Sequence, residues 1–367
     1  MNRIANTIPE QIDMLLTDAI GQGASDIHID PGEQSIHIRY RIDGLLRSVR
    51  EFPKNIHPEI IARIKVLSGL RTDLHSTSQD GRCRFVSGKI QCDMRVSVVP
   101  TQFGENTVLR MLPMRREETS LVSLGFTQEQ ELLIRECAQQ SHGMILVTGP
   151  TGAGKTSTQY GIISLVNASN RAIVTLEDPV EYMLPGVRQI PINPRHGLSF
   201  AHGLRAVLRQ DPDVIMLGEI RDAETAQIAT HTALTGHLLI STLHTNSAAD
   251  ALPRLIDMGI DPYLVASTLS LVINQRLVRR ICTSCSAAGC GDCRQTGYRG
   301  RTVVAEVLQI DEKLQSFIMR RLPRNDIVKY AQSIGMRTIY EEALAKVEAG
   351  ITTREEVLRV LSVPAES

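Results

Sequence analysis

Met144-Ile-Leu-Val-Thr-Gly-Pro-Thr-Gly-Ala-Gly-Lys-Thr156 is the stretch on which the reading of this chain turns. Its first five residues form a short apolar run that predicts a buried strand. The next eight are Gly149, Pro150, Thr151, Gly152, Ala153, Gly154, Lys155 and Thr156, and they match the G-x-x-x-x-G-K-[ST] phosphate-binding pattern at every position. The glycines let the backbone fold tightly enough to turn several N–H groups onto a phosphate chain. Lys155 adds a mobile positive charge for the outer phosphates. The Thr156 hydroxyl, with Ser157 beside it, suits Mg²⁺ and phosphate oxygens. A helix is predicted from about Lys155 to Asn167, its positive end facing the same phosphates. A chance glycine-rich turn would not be framed by a strand before it and a helix after it.

Further along, three more apolar segments predict strands, each ending in polar residues. Ala172–Leu176 runs into Glu177-Asp178-Pro179-Val180-Glu181-Tyr182, Val214–Leu217 into Gly218-Glu219-Ile220-Arg221-Asp222, and Leu238–Thr242 into Leu243-His244-Thr245. Carboxylates at the carboxyl ends of strands in an open α/β sheet lie where ligands bind. An apolar strand ending in an acid is also the pattern of a Mg²⁺-holding carboxylate. Intervening helices over Ser199–Arg209, Ala223–Leu234 and Ser247–Met258 predict a mostly parallel sheet covered on both faces. Glu177 and Asp178 are equally readable as helix-capping acids, and His244 as a hydrogen-bonded core histidine. Clustering of polar groups at three strand ends beside a phosphate loop favours a site.

The bulk numbers narrow the alternatives. The 367 residues are long for one core and imply two or three domains. Forty Lys and Arg balance forty Asp and Glu, and Trp is absent, so neither a general pull toward nucleic acid nor a base-stacking platform is expected. No apolar run approaches the ~20 residues of a membrane span. The N-terminus lacks the apolar core and small-residue cleavage site of a signal peptide. A soluble cytosolic protein is the reading these features support.

Before residue 113 the pattern is α+β. A helix is predicted over Pro9–Gln22. Ile36, Ile38, Tyr40 and Ile42 alternate with His37, Arg39 and Arg41, a half-buried strand that turns at Asp43-Gly44 and returns over Leu45–Val49. A helix over His57–Leu70 and strands near Arg82–Val86, Ile90–Val99 and Thr107–Leu112 complete a mostly antiparallel sheet with helices on one face. Arg82, Arg84, Arg95 and Arg110 crowd the wet faces, which composition alone reads as solvated. Cys83, Cys92 and Cys137 read as small buried hydrophobes. The expected division is residues 1–113, a polar linker at 114–120, a nucleotide core at 121–260 and a C-terminal region at 261–367. Thr127-Gln-Glu-Gln130 predicts a capping box. Asp261–Arg280 reads as one long helix. Cys282, Cys285, Cys290 and Cys293 form two C-x-x-C pairs within residues 282–293, the usual donor set of a tetrahedral Cys₄ zinc site; free thiols and an iron–sulfur cluster are the other readings. Four short helices are predicted over Glu312–Arg320, Asn325–Ser333, Thr338–Ala349 and Arg354–Leu361.

With these pieces assembled, the chain resembles the family of secretion ATPases that power type II secretion, type IV pilus assembly and DNA-uptake pseudopili. The resemblance rests on GASDIHIDP with RYRIDGLL, QDGR, DMRVSVVP, GPTGAGKT, TLEDPVEY, DPDVIMLGEIRD and ALTGHLLISTLHTNSA, which run in family order from about Ala24 onward. It implies an α/β chain: a RecA-like P-loop ATPase core, a smaller α+β, PAS-like N-terminal domain, and a C-terminal Cys₄ metal and helical subdomain. It further implies that Glu181 polarises the attacking water, that Glu219 holds Mg²⁺ with Thr156, and that His244 senses the γ-phosphate side. Arg95 and Arg110 would reach the nucleotide phosphates, with Arg205 and Arg209 as a second pair. The cysteine pairs of the resembling assembly ATPases usually stand farther apart, and retraction-type relatives generally lack them, which points to an assembly motor.

The implied protein is a homo-hexameric ATP hydrolase requiring ATP and Mg²⁺, with structural Zn²⁺. It would be cytoplasmic, peripheral on the inner membrane, and would turn a polytopic inner-membrane platform protein without direct nucleic-acid contact. Many relatives carry a further N-terminal domain for a membrane-anchored partner, which is expected to be absent here or cut away. A nucleic-acid translocase on the same core, and a nucleotide-gated scaffold without turnover, are the alternative readings.

Overall fold

In the computed structural model, which describes residues 7–88, 90–112, 120–167 and 170–361, the chain divides into units Met1–Arg116 and Glu117–Ser367. The first unit opens with α1 (Ile8–Gly21), which Thr7 and Glu10 start with a reciprocal capping box. β1 (Asp26–Pro31), β2 (Ser35–Ile42) and β3 (Leu45–Pro53) follow, then α2 (His57–Leu67), β4 (Gln79–Ser87), β5 (Ile90–Thr101) and β6 (Gly104–Leu112). Asp43 and Gly44 have φ of 49° and 85°, the two positive values that a two-residue hairpin turn needs, and Ile42 pairs with Leu45 across them. All pairings are antiparallel, in the order β3-β2-β1-β6-β5-β4. Ile36, Ile38, Tyr40 and Ile42 are buried, as their alternation predicts. They pack with Ile12 and Leu16 of α1 and Ile60 and Ile64 of α2, so both helices lie on one face. The other face keeps the polar side chains.

The linker expected at 114–120 lies outside the described residues except for Ser120, which caps α3 (Leu121–Leu124). The capping box predicted at Thr127 and Gln130 forms and starts α4 (Gln128–Gln139). Next come β7 (Gly143–Thr148), α5 (Lys155–Val166), β8 (Ile173–Glu177), β9 (Arg188–Pro191), α6 (Phe200–Val207), β10 (Val214–Leu217), α7 (Ala223–Leu234), β11 (Leu238–Leu243) and α8 (Ala251–Asp257). The chain ends with α9 (Pro262–Thr268), β12 (Leu269–Ile281), β13 (Tyr298–Gln309), α10 (Glu312–Met319), α11 (Arg324–Ser333), α12 (Ile339–Glu348) and α13 (Arg354–Val360). The sheet order is β13-β12-β7-β11-β10-β8-β9, parallel except for the β12–β13 pair. β7 is apolar throughout because both its faces are covered. Met144 and Leu146 join a core made with α6 to α11, and Ile145 and Val147 join one made with α3, α4 and α5.

Two expectations are corrected. Asp261–Arg280 is not one helix: only Pro262–Thr268 is helical, and Leu269–Ile281 is the longest strand of the sheet. A short apolar run does not by periodicity distinguish a buried helix from a strand buried on both sides. β-branched Val272, Ile273 and Val278 and a vacant edge of β7 decide for the strand. The sheet of the nucleotide core therefore continues past residue 260 into β12 and β13. The helix predicted from Ser247 begins only at Ala251. The Ser247 amide donates to Asp250 Oδ2 (3.0 Å) and the Asp250 amide to Ser247 Oγ (3.2 Å), closing a turn in place of the first helical bonds. Cys92 and Cys137 are buried and Cys83 is half-buried, and burial pushes the Cys137 thiol up to about 11. Among the described residues no helix is long and apolar enough to cross a membrane.

Candidate active site

The phosphate loop joins β7 to α5. Gly149 has φ 134°, and a Cβ there would stand 2.5 Å from the Gln275 carbonyl oxygen, so only glycine lets the loop pass β12. α5 begins at Lys155 with no acidic residue in its first turn, which leaves its positive end open to an anion. Lys155 Nζ donates to the carbonyls of Gly149 (2.9 Å) and Pro150 (3.0 Å). Burial lowers its pKa, Glu219 opposes that, and Arg276 adds to it.

Glu219 follows the end of β10 and is aimed by its neighbours. The Gly218 amide bonds Leu176 O on β8 (2.8 Å), and Thr242 Oγ1 on β11 donates to Gly218 O (2.8 Å). Its carboxylate accepts from Arg221 Nη2 (2.6 Å) and lies 3.9 Å from His244 Nε2. Glu219, Arg221, His244 and Arg254 line a pocket of about 360 Å³. Burial and then the Lys155 charge lower the His244 pKa, Glu219 opposes them, and Arg221 adds to the lowering. Arg221 and Arg254 carried no role in the sequence reading. The Glu-x-Arg spacing was visible, but the return of Arg221 onto Glu219 depends on the bend after β10.

The acids after β8 separate into different roles. Glu177 is 2% exposed, neither a ligand group nor a helix cap. It accepts from the Tyr160 hydroxyl, Thr175 Oγ1 (2.5 Å) and Gln189 Nε2 (3.1 Å). Asp178 is exposed and adds to the field that raises Arg221. The Glu181 amide donates to Tyr160 Oη (3.4 Å), and Gln189 Nε2 donates to Tyr182 O (3.1 Å). Tyr160 belongs to α5, and Asn167 at the end of that helix donates to Pro185 O (2.8 Å), so the loop that carries Glu181 is moored to the phosphate-loop helix at both places.

Arg205 and Arg209 sit on the exposed side of α6 and the turn after it. Arg205 pairs with Glu224 on α7 (2.8 Å), and Arg209 donates to Arg205 O (3.0 Å). In the first unit, one cross-strand row runs Arg41–Asp26–Arg110–Arg95–Arg82 through β2, β1, β6, β5 and β4. Asp26, 4% exposed, accepts from Arg110 Nε (2.9 Å) and stands 3.7 Å from Arg41. Arg82, Arg95 and Arg110 line a pocket of about 490 Å³. Like charges directly opposite on neighbouring strands are destabilising, so such a row suits an anion. Arg82 was read only as a wet-face residue; the register places it beside Arg95.

The four cysteines occupy the connection between β12 and β13. Their sulfur atoms all lie within 4.8 Å of one another, with Cys282–Cys290 at 3.9 Å, Cys285–Cys293 at 3.6 Å and Cys290–Cys293 at 3.7 Å. Four thiolates about 2.3 Å from a tetrahedral ion stand about 3.8 Å apart, so the donor set fits zinc. The short spacer is sufficient because each pair is followed by two residues with positive φ, Ser286-Ala287 and Arg294-Gln295, which turn the backbone sharply. The amides of Cys290 (3.1 Å) and Gly297 (3.3 Å) donate to Cys293 Sγ and favour its thiolate.

The model of the family described as "Type II/IV secretion system protein" matches residues 3–359. The type II secretion system protein HxcR of Pseudomonas aeruginosa is 43% identical over 98% of this chain and 82% of its own. The type IV pilus assembly ATPase PilB of Thermus thermophilus is 40% identical over 95% of this chain and 42% of its own. Among solved structures, the Legionella pneumophila ATPase DotB superposes with a TM-score of 0.76 at 25% identity, covering 98% of this chain and 97% of that one. A phosphate loop opening α5, an acid at the end of β10 and similarity to ATPases over nearly all of this chain lead to one assignment: the chain belongs to the type II/IV secretion system protein family and is an ATP hydrolase.

Proposed function

We propose that this chain is the subunit of a homo-hexameric, Mg²⁺-dependent ATPase motor. The motor assembles a type IV pilus, a type II secretion pseudopilus or a DNA-uptake pseudopilus through a polytopic platform protein of the inner membrane, from the cytoplasmic side. The observation that carries this reading is the distribution of charge. The second unit holds the phosphate loop, Glu219 and His244, while the first carries the arginine row. Phosphoryl transfer needs positioning and neutralisation of charge on the equatorial oxygens. In this reading residues 149–157 cradle the nucleotide, Lys155 meets its outer phosphates, and Glu181 orients and deprotonates the attacking water. His244 hydrogen-bonds on the γ-phosphate side. Arg95 and Arg110, with Arg205 and Arg209, supply the remaining positive charge. Thr156 and Glu219 offer the hard oxygen donors that Mg²⁺ takes; when bound, the ion neutralises phosphate charge. Dependence of the rate on arginines from a separate unit is what a motor that couples nucleotide state to conformation requires.

The test is ATPase activity per subunit against protein concentration. A steep rise is expected, because neighbouring subunits complete the site. A rate that stays flat across the range in which light scattering shows monomers becoming hexamers would overturn the oligomeric mechanism. Stimulation by DNA would favour the translocase reading.

The cysteine site is proposed to hold zinc in a structural role. Elemental analysis of the purified chain should find close to one zinc per subunit. Cys290→Ser should release it and lower the unfolding midpoint, because metal affinity is folding free energy at such sites. An unchanged midpoint after complete metal removal would end that assignment.

A further inference from the structure

A row of buried polar side chains crosses three strands of the sheet of the second unit. Thr148 on β7 pairs with Asn274 on β12, and Asn274 pairs with Glu306 on β13. Thr148 and Asn274 are fully buried and Glu306 is 5% exposed. Their strand neighbours Val147, Ile273 and Val307 belong to the core. Polar groups this deep stay only where they are hydrogen-bonded, and the bonds of this row converge on the loop that follows His244. Asn274 Nδ2 donates to Thr148 Oγ1 (2.9 Å) and to Thr245 O (3.1 Å). Its Oδ1 accepts from Arg276 Nη1 (3.3 Å), and Arg276 Nη2 continues to Asn246 O (3.3 Å). Glu306 accepts the Ala248 amide and, from the start of α12, the Ile339 amide (3.3 Å). Arg324, at the start of α11, donates to Ser247 Oγ (3.2 Å) and Asp250 Oδ1 (2.7 Å).

The same strand also holds the far end of the phosphate loop. Gln275 Nε2 donates to Ala153 O (2.7 Å), and Gln275 Oε1 accepts from Thr158 Oγ1 (2.8 Å). The His244 side chain is half exposed, and among the described residues no hydrogen bond fixes its ring; its approach to Glu219 is 3.9 Å. The place of that imidazole is therefore set by its loop, and the loop is set by the row.

We propose that Asn274 and Glu306 are positioning residues for ATP hydrolysis, locking the loop that carries His244 to the strand that begins the phosphate loop. The proposal rests on the reading of His244 as the γ-phosphate-side residue, and goes beyond it by naming what holds that residue in place. The row also reaches the C-terminal helices through Ile339, so the loop is braced from the side of the phosphate loop and from the side of α12.

The test uses the full chain with Glu306→Gln and Asn274→Ala, each alone and each combined with His244→Ala. The readouts are kcat and KM for ATP with Mg²⁺, and amide hydrogen exchange over residues 245–250. Each single variant should lower kcat by about tenfold to a hundredfold, the scale of a small displacement of a reacting group. KM should stay within about twofold, since ground-state contacts are spared. Neither variant should lower kcat further once His244 is Ala, and exchange over 245–250 should quicken in both. Equal losses with and without His244 would overturn the proposal, as would unaltered kcat in the row variants while His244→Ala is impaired, or unaltered exchange. A fully active His244→Ala would instead overturn the reading of His244 and the positioning role with it. If Glu306→Gln does not fold, Asn274→Ala and the half-exposed Arg324→Gln carry the same comparisons.

Discussion

Replacing Glu181 by Gln is expected to lower kcat by about 10²–10⁴-fold, the usual worth of a positioned general base, while nucleotide binding survives. Glu181 lies on an irregular segment between β8 and β9, yet its amide is held by Tyr160 Oη, and Tyr160 is part of the helix that begins with Lys155. The phenol in turn donates to Glu177, whose other bonds to Thr175 and Gln189 leave the carboxylate fully engaged inside the protein. Gln189 also holds Tyr182 O, the next carbonyl along. A Gln side chain keeps the size of Glu181, exchanges one acceptor oxygen for an NH₂ donor and removes the charge and basicity, so the loss should fall on the chemical step. Phosphate release in steady state, with affinity for a fluorescent nucleotide measured alongside, separates the two. Hydrolysis at the unaltered rate would take Glu181 out of the chemistry.

Arg95→Ala is expected to reduce kcat/KM by about 10³-fold, the lower end of what an arginine brought to a transferring phosphoryl group contributes. Arg95 is the better choice over Arg110. Removing Arg110 would take the charged hydrogen-bond donor from the buried Asp26 carboxylate, leaving it the Ser25 hydroxyl (2.8 Å) and Arg41 at 3.7 Å, and a folding defect would blur the result. Arg95 stands between Arg82 and Arg110 in register and, unlike Arg110, is not a direct partner of the buried Asp26. Stability should move by less than about 1 kcal/mol, the size of a cross-strand pair term. The loss of activity should far exceed what so small a change in stability can account for, which separates a catalytic from a structural arginine. Unchanged kcat/KM would return the row to an ordinary solvated strand face.

These expectations draw unequally on sequence and structure. The phosphate loop was legible because its chemistry is local: glycines at fixed offsets, a lysine and a hydroxyl, framed by a strand and a helix. The Asp43-Gly44 hairpin was legible for the same reason, since the left-handed backbone it requires is written in two adjacent residues. The alternation of Ile36, Ile38, Tyr40 and Ile42 predicted which side of β2 is buried, and that side is buried. The nearness of four cysteines in the chain likewise anticipated four sulfur atoms in one place.

What only the tertiary structure decided are the contacts made between elements far apart in the chain. Leu269–Ile281 is a strand because β7 offers a free edge beside it; apolar spacing within the segment could not report on that neighbour. Glu177 and Glu181 stand four residues apart in one acidic motif, yet one is buried under Tyr160 and Gln189 while the other lies on the loop beyond. The difference is set by α5 and β9, not by the motif. Arg82 joins Arg95 and Arg110 through strand register, and Asn274 meets Glu306 the same way. The physical reason is common to these cases. Turn chemistry, phosphate cradles and capping boxes are satisfied within a few residues, so sequence alone determines them. Burial, like-charge rows and hydrogen bonds across a sheet depend on partners that the chain brings together only by folding.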